Sequence, residues 1–302
     1  MGEAAADVKS ALRQRVLSDE TTDVNKPPSS SDDNGIPPAW WTLNHNGMPQ
    51  AVAHRGYKAS FPENTMGAFR GAVEVGAHAI ETDLHLSKDK VVVISHDKDL
   101  KRCYGEEGLV RDRDWAYLQT LRTLREPRQP MPRLSELLAY LAEPGNEAVW
   151  LLLDIKIDDP AGEMIPRIAE TILREAPQPP PSAAWTRRVV LGCWTAKHLR
   201  LCHELLPGFA IAWIGVTLPL ARQYLRVPNV AINMRQEPLY CLGGPRFIRD
   251  CQEDGRPLYA WTVNKVSWMR WAIRKKLDCI MTDDPKLFLE VLEDDDDNDK
   301  EL

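Results

Sequence analysis

Apolar, β-branched runs recur along the chain from about residue 50, and segments whose apolar positions repeat every three to four residues fall between them. The runs at 51–54, 79–86, 149–155, 188–194, 210–215, 229–234, 257–263 and 279–282 predict strands. Helical patterning lies at 63–75, 135–142, 163–175, 196–205, 218–225, 244–253 and 266–276. In the first of these, Met66, Phe69, Ala72 and Val73 share one face. Strands alternating with helices imply a parallel sheet, and eight such units around a single core predict an α/β fold of the (β/α)8 TIM-barrel type.

One apolar run, 91–96, breaks the alternation. It follows the second strand after only Ser87, Lys88, Asp89 and Lys90, whereas a parallel crossover takes about a dozen residues. It is therefore expected to double back as an extra hairpin strand. With Ser87 facing Lys90 across the turn, His96 would lie opposite Glu81 and Ile94 opposite Asp83. The next stretch, 100–132, is rich in Arg, Pro and Gly and reads as a small insertion over the barrel mouth.

The ends differ in composition from this middle. Residues 1–38 combine a short helical pattern at 4–16 with a Pro, Ser and Asp stretch, and read as a flexible arm. From 293 the chain is a run of acids, expected to be a disordered tail, which leaves 39–292 as the folded domain. The last four residues permute an endoplasmic-reticulum retrieval signal without matching it.

Composition narrows the classes of function. A net charge of -6 argues against a nucleic-acid partner, which needs a basic face. No apolar run approaches the roughly 20 residues of a transmembrane segment, and residues 1–24 lack the apolar stretch of a secretory leader. The protein is thus expected to be intracellular, either cytoplasmic or peripheral on an internal membrane. Trp40, Trp41, Trp268 and Trp271, near positive charge, are the candidates for peripheral membrane contact. The six cysteines form no C-x-x-C motif and read as buried thiols.

Candidate chemistry gathers at predicted strand ends, which in a barrel of this type face one mouth. Ala53-His54-Arg55-Gly56 closes the first strand, where a guanidinium suits a phosphate and a glycine lets backbone approach closely. Pro62-Glu63-Asn64-Thr65 is a good helix start whose loop would share that mouth. Alternation places Glu81, Asp83 and His85 on one strand face, and two carboxylates so placed are tolerable if a divalent cation bridges them. His96, followed by Asp97, supplies a second histidine, and two histidines flanking a phosphodiester can divide proton removal and proton delivery. Asp97 reads either as an orienting partner for an imidazole or as a turn residue.

The apolar strand Leu151-Leu152-Leu153-Asp154-Ile155-Lys156 ends in an acid and a base on one face, a third metal ligand and a point charge for a phosphate. Trp261 fits either a glycerol or lipid backbone or plain core, and the Asp-Pro at Asp284-Pro285 reads as a turn.

Taken together, His54-Arg55-Gly56, Pro62-Glu63-Asn64-Thr65, Glu81-Thr82-Asp83, His96-Asp97, Leu153-Asp154-Ile155-Lys156 and Thr282-Asp283-Asp284-Pro285 resemble the glycerophosphodiester phosphodiesterase family over about 50–288. The resemblance implies a triosephosphate-isomerase-type barrel, a divalent metal such as Mg2+ or Ca2+, and cleavage of a glycerophosphodiester or glycerophospholipid. It implies His54 and His96 as the acid and base, Glu81, Asp83 and Asp154 as metal ligands, and Arg55 and Lys156 as phosphate contacts. Glu63 and Trp261 are expected against the substrate, with Asn64 and Asp97 supporting from behind.

Where the family usually has Glu, this chain has Asp154, which reaches about one bond less far. Leu-Asp-Ile-Lys, Trp-Thr-Val-Asn and Thr-Asp-Asp-Pro look like the fungal branch that contains a phosphatidylglycerol-specific phospholipase C. That likeness implies phosphatidylglycerol or a related glycerophospholipid as substrate. Hydrolysis of soluble deacylated diesters to glycerol 3-phosphate and an alcohol is the alternative. A phospholipase D-like transfer, as in spider-venom-type enzymes, and a headgroup-binding barrel without activity complete the set.

Overall fold

The computed structural model describes residues 35–44, 47–180 and 183–300. The helix expected at 4–16 and nearly all of the arm lie outside the described residues. The strands are β1 (Gln50–His54), β2 (Ala79–Leu86), β3 (Val92–Ile94), β4 (Trp150–Ile155), β5 (Val189–Cys193), β6 (Ala210–Gly215), β7 (Ala231–Arg235), β8 (Leu258–Trp261) and β9 (Cys279–Thr282). All except β3 pair in parallel, and β1 contacts both β2 and β9, so the sheet closes into an eight-stranded barrel.

The outer helices are α1 (Met66–Glu74), α2 (Leu134–Leu141), α3 (Ala161–Glu170), α4 (Ala196–Leu205), α5 (Leu218–Leu225), α6 (Gly244–Glu253), α7 (Val266–Arg274) and α8 (Pro285–Lys300). α3 runs on into a π-helical turn over Thr171–Glu175, so the single helix expected at 163–175 is two geometries in one rod.

Period-two alternation sorts each strand between two cores. Ala53, Ile80, Leu151, Leu191 and Ile280 point outward beneath the helices. Val52, Leu152, Val190, Ala212 and Met281 point inward. Small inward residues such as Ala79, Ala210 and Ala231 leave room for Trp150 and Tyr259, whose ring centroids lie 6.0 Å apart.

The segment before β1 seals the floor of this interior. Trp41 packs against the inward cluster, and the Thr42 hydroxyl donates to the Ala39 carbonyl at 2.7 Å. That commits the Thr42 proton, so the Tyr259 hydroxyl donates to Thr42 Oγ1 at 2.8 Å. Trp41 is therefore not available to a membrane. Of the other candidates, Trp40 is 53% exposed and meets Trp41 edge to face, while Trp268 and Trp271 are half-buried and lean on the Tyr240 ring, with centroids 5.2 and 4.0 Å away. Ile36 is buried and its carbonyl accepts from Asn229 Nδ2 at 2.9 Å, so packing begins before residue 39. Among the described residues no helix is long and apolar enough to cross a membrane.

The hairpin register differs from the expected one by a residue. Ser87 pairs with Val91, its N–H bonding the Val91 carbonyl at 3.0 Å, and three residues form the turn. The cause is Lys90, which adopts a left-handed φ of 65° and extends a two-residue turn to three. Leu84 therefore faces Ile94, and β3 stops there, leaving His96 in the following loop and not opposite Glu81. β3 continues along the β2 edge that β1 leaves, since Arg55 N–H bonds Glu81 O and Ser95 N–H bonds Asp83 O, each at 3.0 Å.

The insertion at 100–132 carries its own small core of Leu100, Tyr104, Val110, Leu118, Leu121 and Met131 against Val93. Arg125 ties it to the β1–α1 loop by donating to the Ala59 and Phe61 carbonyls at 2.7 Å. At the other end, the acidic run expected to be disordered from 293 is helical to Lys300, because Phe288, Val291 and Leu292 anchor α8 and the helix propagates from that stem. Cys193, Cys202, Cys251 and Cys279 are buried thiols as expected, but Cys103 is half-buried and Cys241 exposed. Cys241 follows directly on the short helical turn Gln236–Tyr240.

Candidate active site

β1 delivers His54 to the mouth, and the chain then turns sharply through Arg55 (φ 59°) and Gly56 (φ 79°). A side chain at Gly56 would place its Cβ 2.7 Å from the Ala68 backbone, so glycine is what lets α1 pack this close. Helix α1 begins at Met66, later than expected, because Thr65 caps it by accepting from Ala68 N–H and Asn64 has a left-handed φ of 54°. That kink turns Asn64 inward, where its amide donates to Asp83 Oδ2 at 2.8 Å and accepts from the Thr82 hydroxyl at 2.9 Å.

Glu81, Asp83 and Asp154 converge as three buried carboxylates with ligand oxygens within 4.8 Å of one another. The β2–β4 register places Asp83 directly beside Asp154, so the shorter aspartate still joins the group. Burial pushes the Glu81 and Asp154 carboxyls up, and the neighbouring acids push Glu81 further. Burial opposes ionisation of Asp83 too, but Lys156, Arg55 and His96 outweigh it and hold that carboxyl well below its usual range.

Lys156 Nζ stands 2.6 Å from both Asp83 Oδ1 and Asp154 Oδ2. Burial would strip its proton, yet the two carboxylates keep it firmly protonated. A buried all-oxygen donor set that retains protons unless cations gather round it suits a hard divalent metal.

Each histidine leans on its own acid. His54 Nδ1 donates to Asp283 Oδ1 at 2.7 Å, and His96 Nδ1 donates to Asp97 Oδ1 at 2.7 Å, which leaves Nε2 of each as the working nitrogen. Burial lowers the His54 pKa, against the pull of Asp283. Asp283 is opposed by burial, but His54, Lys58 and Asn264 bring it down to about 2. His96 is a third exposed on its loop. That loop is braced by His85, whose Nδ1 meets Asp159 Oδ2 at 2.7 Å and whose Nε2 reaches the His96 carbonyl at 3.3 Å.

Arg55 and Glu63 meet at 2.9 Å, and Arg55 Nε lies 3.3 Å from Asp83 Oδ2. Glu63 also takes two bonds from Arg102, at 2.7 and 3.0 Å, so its carboxylate is committed to guanidinium groups. Against the penalty of burial, those partners draw it down to about 2. Arg102 Nε then reaches Asp97 Oδ2 at 2.6 Å, which links the Arg55 side of the site to the His96 side. Trp261 lies edge-on to Trp194, with centroids 6.0 Å apart, and Trp194 Nε1 donates to Asp154 Oδ1 at 2.7 Å.

The structure thus brings His54, Arg55, Glu63, Asn64, Glu81, Asp83, Asp154 and Lys156 into one bonded cluster, with His96, Asp97 and Trp261 at its rim. Three contributors were given no role by the sequence: Asp283, Trp194 and Arg102, whereas His85, on the same strand face as Glu81 and Asp83, stays outside the carboxylate trio and braces the His96 loop. Asp283 had a signal, since Asp284 alone caps α8 by accepting from Leu287 N–H at 3.0 Å and leaves its neighbour spare. Arg102 had none, because only the fold of the insertion brings it near Asp97 and Glu63.

Comparison with known proteins supplies the family and the fold. The model of the glycerophosphoryl diester phosphodiesterase family matches residues 54–287. A lysophospholipase D from Rattus norvegicus is 43% identical over 287 residues, covering 81% of this chain and 86% of that protein. Glycerophosphodiester phosphodiesterase domain-containing protein 4 of Macaca fascicularis is 54% identical over 268 residues, covering 78% of this chain and 40% of that protein. Among solved structures, a glycerophosphodiester phosphodiesterase from Agrobacterium tumefaciens shares the fold with a TM-score of 0.64 at 23% identity, covering 80% of this chain and 99% of that one. A phosphodiesterase from Oleispira antarctica, solved with its product sn-glycerol-3-phosphate, does so with a TM-score of 0.67 at 21% identity, covering 82% and 97%. On the match across 54–287 and these identities, the chain belongs to the glycerophosphoryl diester phosphodiesterase family, hydrolases that act on phosphoric diesters and use a divalent metal.

Proposed function

We propose that this protein hydrolyses a glycerol-based phosphodiester with His54 and His96 as the acid and base pair. The observation that carries the reading is that both histidines, each oriented by an aspartate, flank a buried carboxylate trio at one barrel mouth. Asp283 and Asp97 hold the two Nε2 atoms ready, one to take the proton of an attacking water and the other to protonate the departing alkoxide. Arg55 and Lys156 supply the fixed positive charge that a phosphate needs on entry. Glu63 acts by positioning Arg55 and Arg102, and Asn64 by fixing the Asp83 carboxylate. A divalent cation, Mg2+ or Ca2+, held by Glu81, Asp83 and Asp154 would supply Lewis-acid stabilisation of the charge that develops on the phosphoryl oxygens.

The likeness to the fungal branch, carried by Leu153-Asp154-Ile155-Lys156, Trp261-Thr262-Val263-Asn264 and Thr282-Asp283-Asp284-Pro285, makes phosphatidylglycerol a second reading. Its cleavage in the manner of a phospholipase C would give diacylglycerol. The test is an assay of purified protein on glycerophosphocholine, lysophosphatidylcholine and phosphatidylglycerol, after chelation and after readdition of Mg2+ or Ca2+. Hydrolysis that needs the cation and leaves a glycerol phosphomonoester supports the main reading. Diacylglycerol from phosphatidylglycerol supports the second, and a cyclic phosphate product would show that a substrate hydroxyl attacks in place of water. Turnover of none of the three by metal-loaded, folded protein sinks the proposal.

A further inference from the structure

Every polar group of Asp283 is engaged. Its Oδ1 takes the His54 Nδ1–H at 2.7 Å, its backbone carbonyl accepts from Ala59 N–H at 2.8 Å, and its backbone N–H donates to Asn264 Oδ1 at 2.9 Å. The far carboxylate oxygen, Oδ2, has two donors, Asn264 Nδ2 at 2.9 Å and Lys58 Nζ at 3.3 Å. Asn264 thus grips Asp283 at the backbone and again at the side chain.

These contacts fix which way the Asn264 amide points. Thr282 Oγ1 accepts from Asp284 N–H at 3.2 Å and donates to Asn264 Oδ1 at 3.1 Å. A reversed amide would set its NH2 against the Asp283 N–H and its oxygen against the Asp283 carboxylate, so only the observed orientation fits. Lys58 follows β1, Asp283 follows β9 and Asn264 follows β8, so loops from three neighbouring strands meet on one carboxylate.

Asp97 carries His96 in the same manner, with Oδ1 on the imidazole and Oδ2 on Arg102. A carboxylate held at one oxygen can rotate about its Cβ–Cγ bond and release the ring, and a donor on the other oxygen stops that rotation. We propose that Asn264 is a positioning residue for the reaction: by pinning Oδ2 of Asp283 it keeps Oδ1 on His54 Nδ1, which holds the ring proton there and leaves Nε2 free to work. Lys58 is the second donor of the same clamp. The inference rests on the phosphodiesterase reading above and adds to it a residue that acts through Asp283.

Asn264 is exposed, so replacing it spares both cores. Asn264→Ala should lower kcat on glycerophosphocholine about tenfold and leave KM within about twofold, the loss expected for one hydrogen bond to a charged group. Asn264→Asp keeps the oxygen that serves Asp283 N–H and Thr282 but turns an anion toward Asp283 Oδ2, so it should fall below the alanine variant. In an Asp283→Ala background, Asn264→Ala should cost less than about twofold more, because the partner is already gone. Unchanged kcat in Asn264→Ala, wild-type kcat in Asn264→Asp, or the full loss repeated without Asp283 would overturn the role.

A second measurement needs no turnover: NMR of the imidazole nitrogens at neutral pH, with the His54 signals assigned by their loss in His54→Ala. The wild-type ring should be protonated at Nδ1, and Asn264→Ala and Asp283→Ala should each show a mixture with the Nε2-protonated form. That mixture, in protein whose wild type hydrolyses no phosphodiester, would leave the clamp on His54 standing and the phosphodiesterase reading fallen. A ring that Asn264→Ala does not disturb overturns the clamp whatever the turnover.

Discussion

The two ends of the barrel bury polar groups in opposite ways. At the floor, Thr42, Tyr259, Gln50 and Trp150 are neutral and answer one another, as in the bond from Trp150 Nε1 to Gln50 Oε1 at 2.7 Å. At the mouth, Glu81, Asp83, Asp154, Lys156 and Arg55 are ionisable and crowded, and their pKa values are driven apart by burial and by one another. A satisfied neutral network adds to stability, whereas buried charges cost solvation and persist where chemistry uses them. Mutations at the floor should therefore read out in stability, and those at the mouth in rate.

The comparison breaks most sharply at the histidines. His54→Ala and His96→Ala should each lower kcat by about 10²- to 10⁴-fold with the melting temperature nearly unchanged. Matched loss of folding by circular dichroism would instead make them structural.

Next is Arg102, the exposed bridge between Asp97 and Glu63. Arg102→Ala should cut kcat by about tenfold and leave KM for the deacylated diester within about twofold, since it positions groups without touching substrate. Arg102→Lys should recover only part, because one ammonium cannot reproduce the forked bonds. A change confined to KM would place Arg102 on the substrate itself.

A smaller effect distinguishes the ends by pH. Asp283 sits at about 2 in the folded protein, below the ordinary unfolded carboxylate value of about 3.9. A depressed folded pKa contributes stability that is present in full above the unfolded value and is lost as pH falls through the folded one. The difference in melting temperature between wild type and Asp283→Asn should thus be constant above about pH 5 and shrink between pH 4 and 2. A difference that does not change over that range would mean that Asp283 is not held down by its partners.

The smallest effect belongs to the floor. Tyr259→Phe removes one neutral hydrogen bond to Thr42 and should cost about 1 kcal/mol of stability in urea unfolding, with kcat unchanged.

Much of this was legible in one dimension. The ranges 79–86, 210–215 and 279–282 are strands as the apolar runs predict, and 196–205, 218–225 and 244–253 are helices to the residue. Strand-end position likewise singled out His54, Glu81, Asp83, Asp154 and Lys156, since alternation is a local property and every parallel strand ends at the same mouth.

What local pattern cannot carry, tertiary structure decided. A left-handed Lys90 moved the hairpin register by one, because turn length depends on a φ that residue identity only biases. Asp283 became the partner of His54 because β9 closes the ring against β1, a contact between residues 229 positions apart. Arg102 became a bridge because the insertion folds on its own small core. The sequence by itself determined the barrel, the carboxylate trio and both histidines. Asp97 lies next to His96 in the chain, but the acid that orients His54 was decided by closure of the barrel, where distance along the chain no longer sets distance in space.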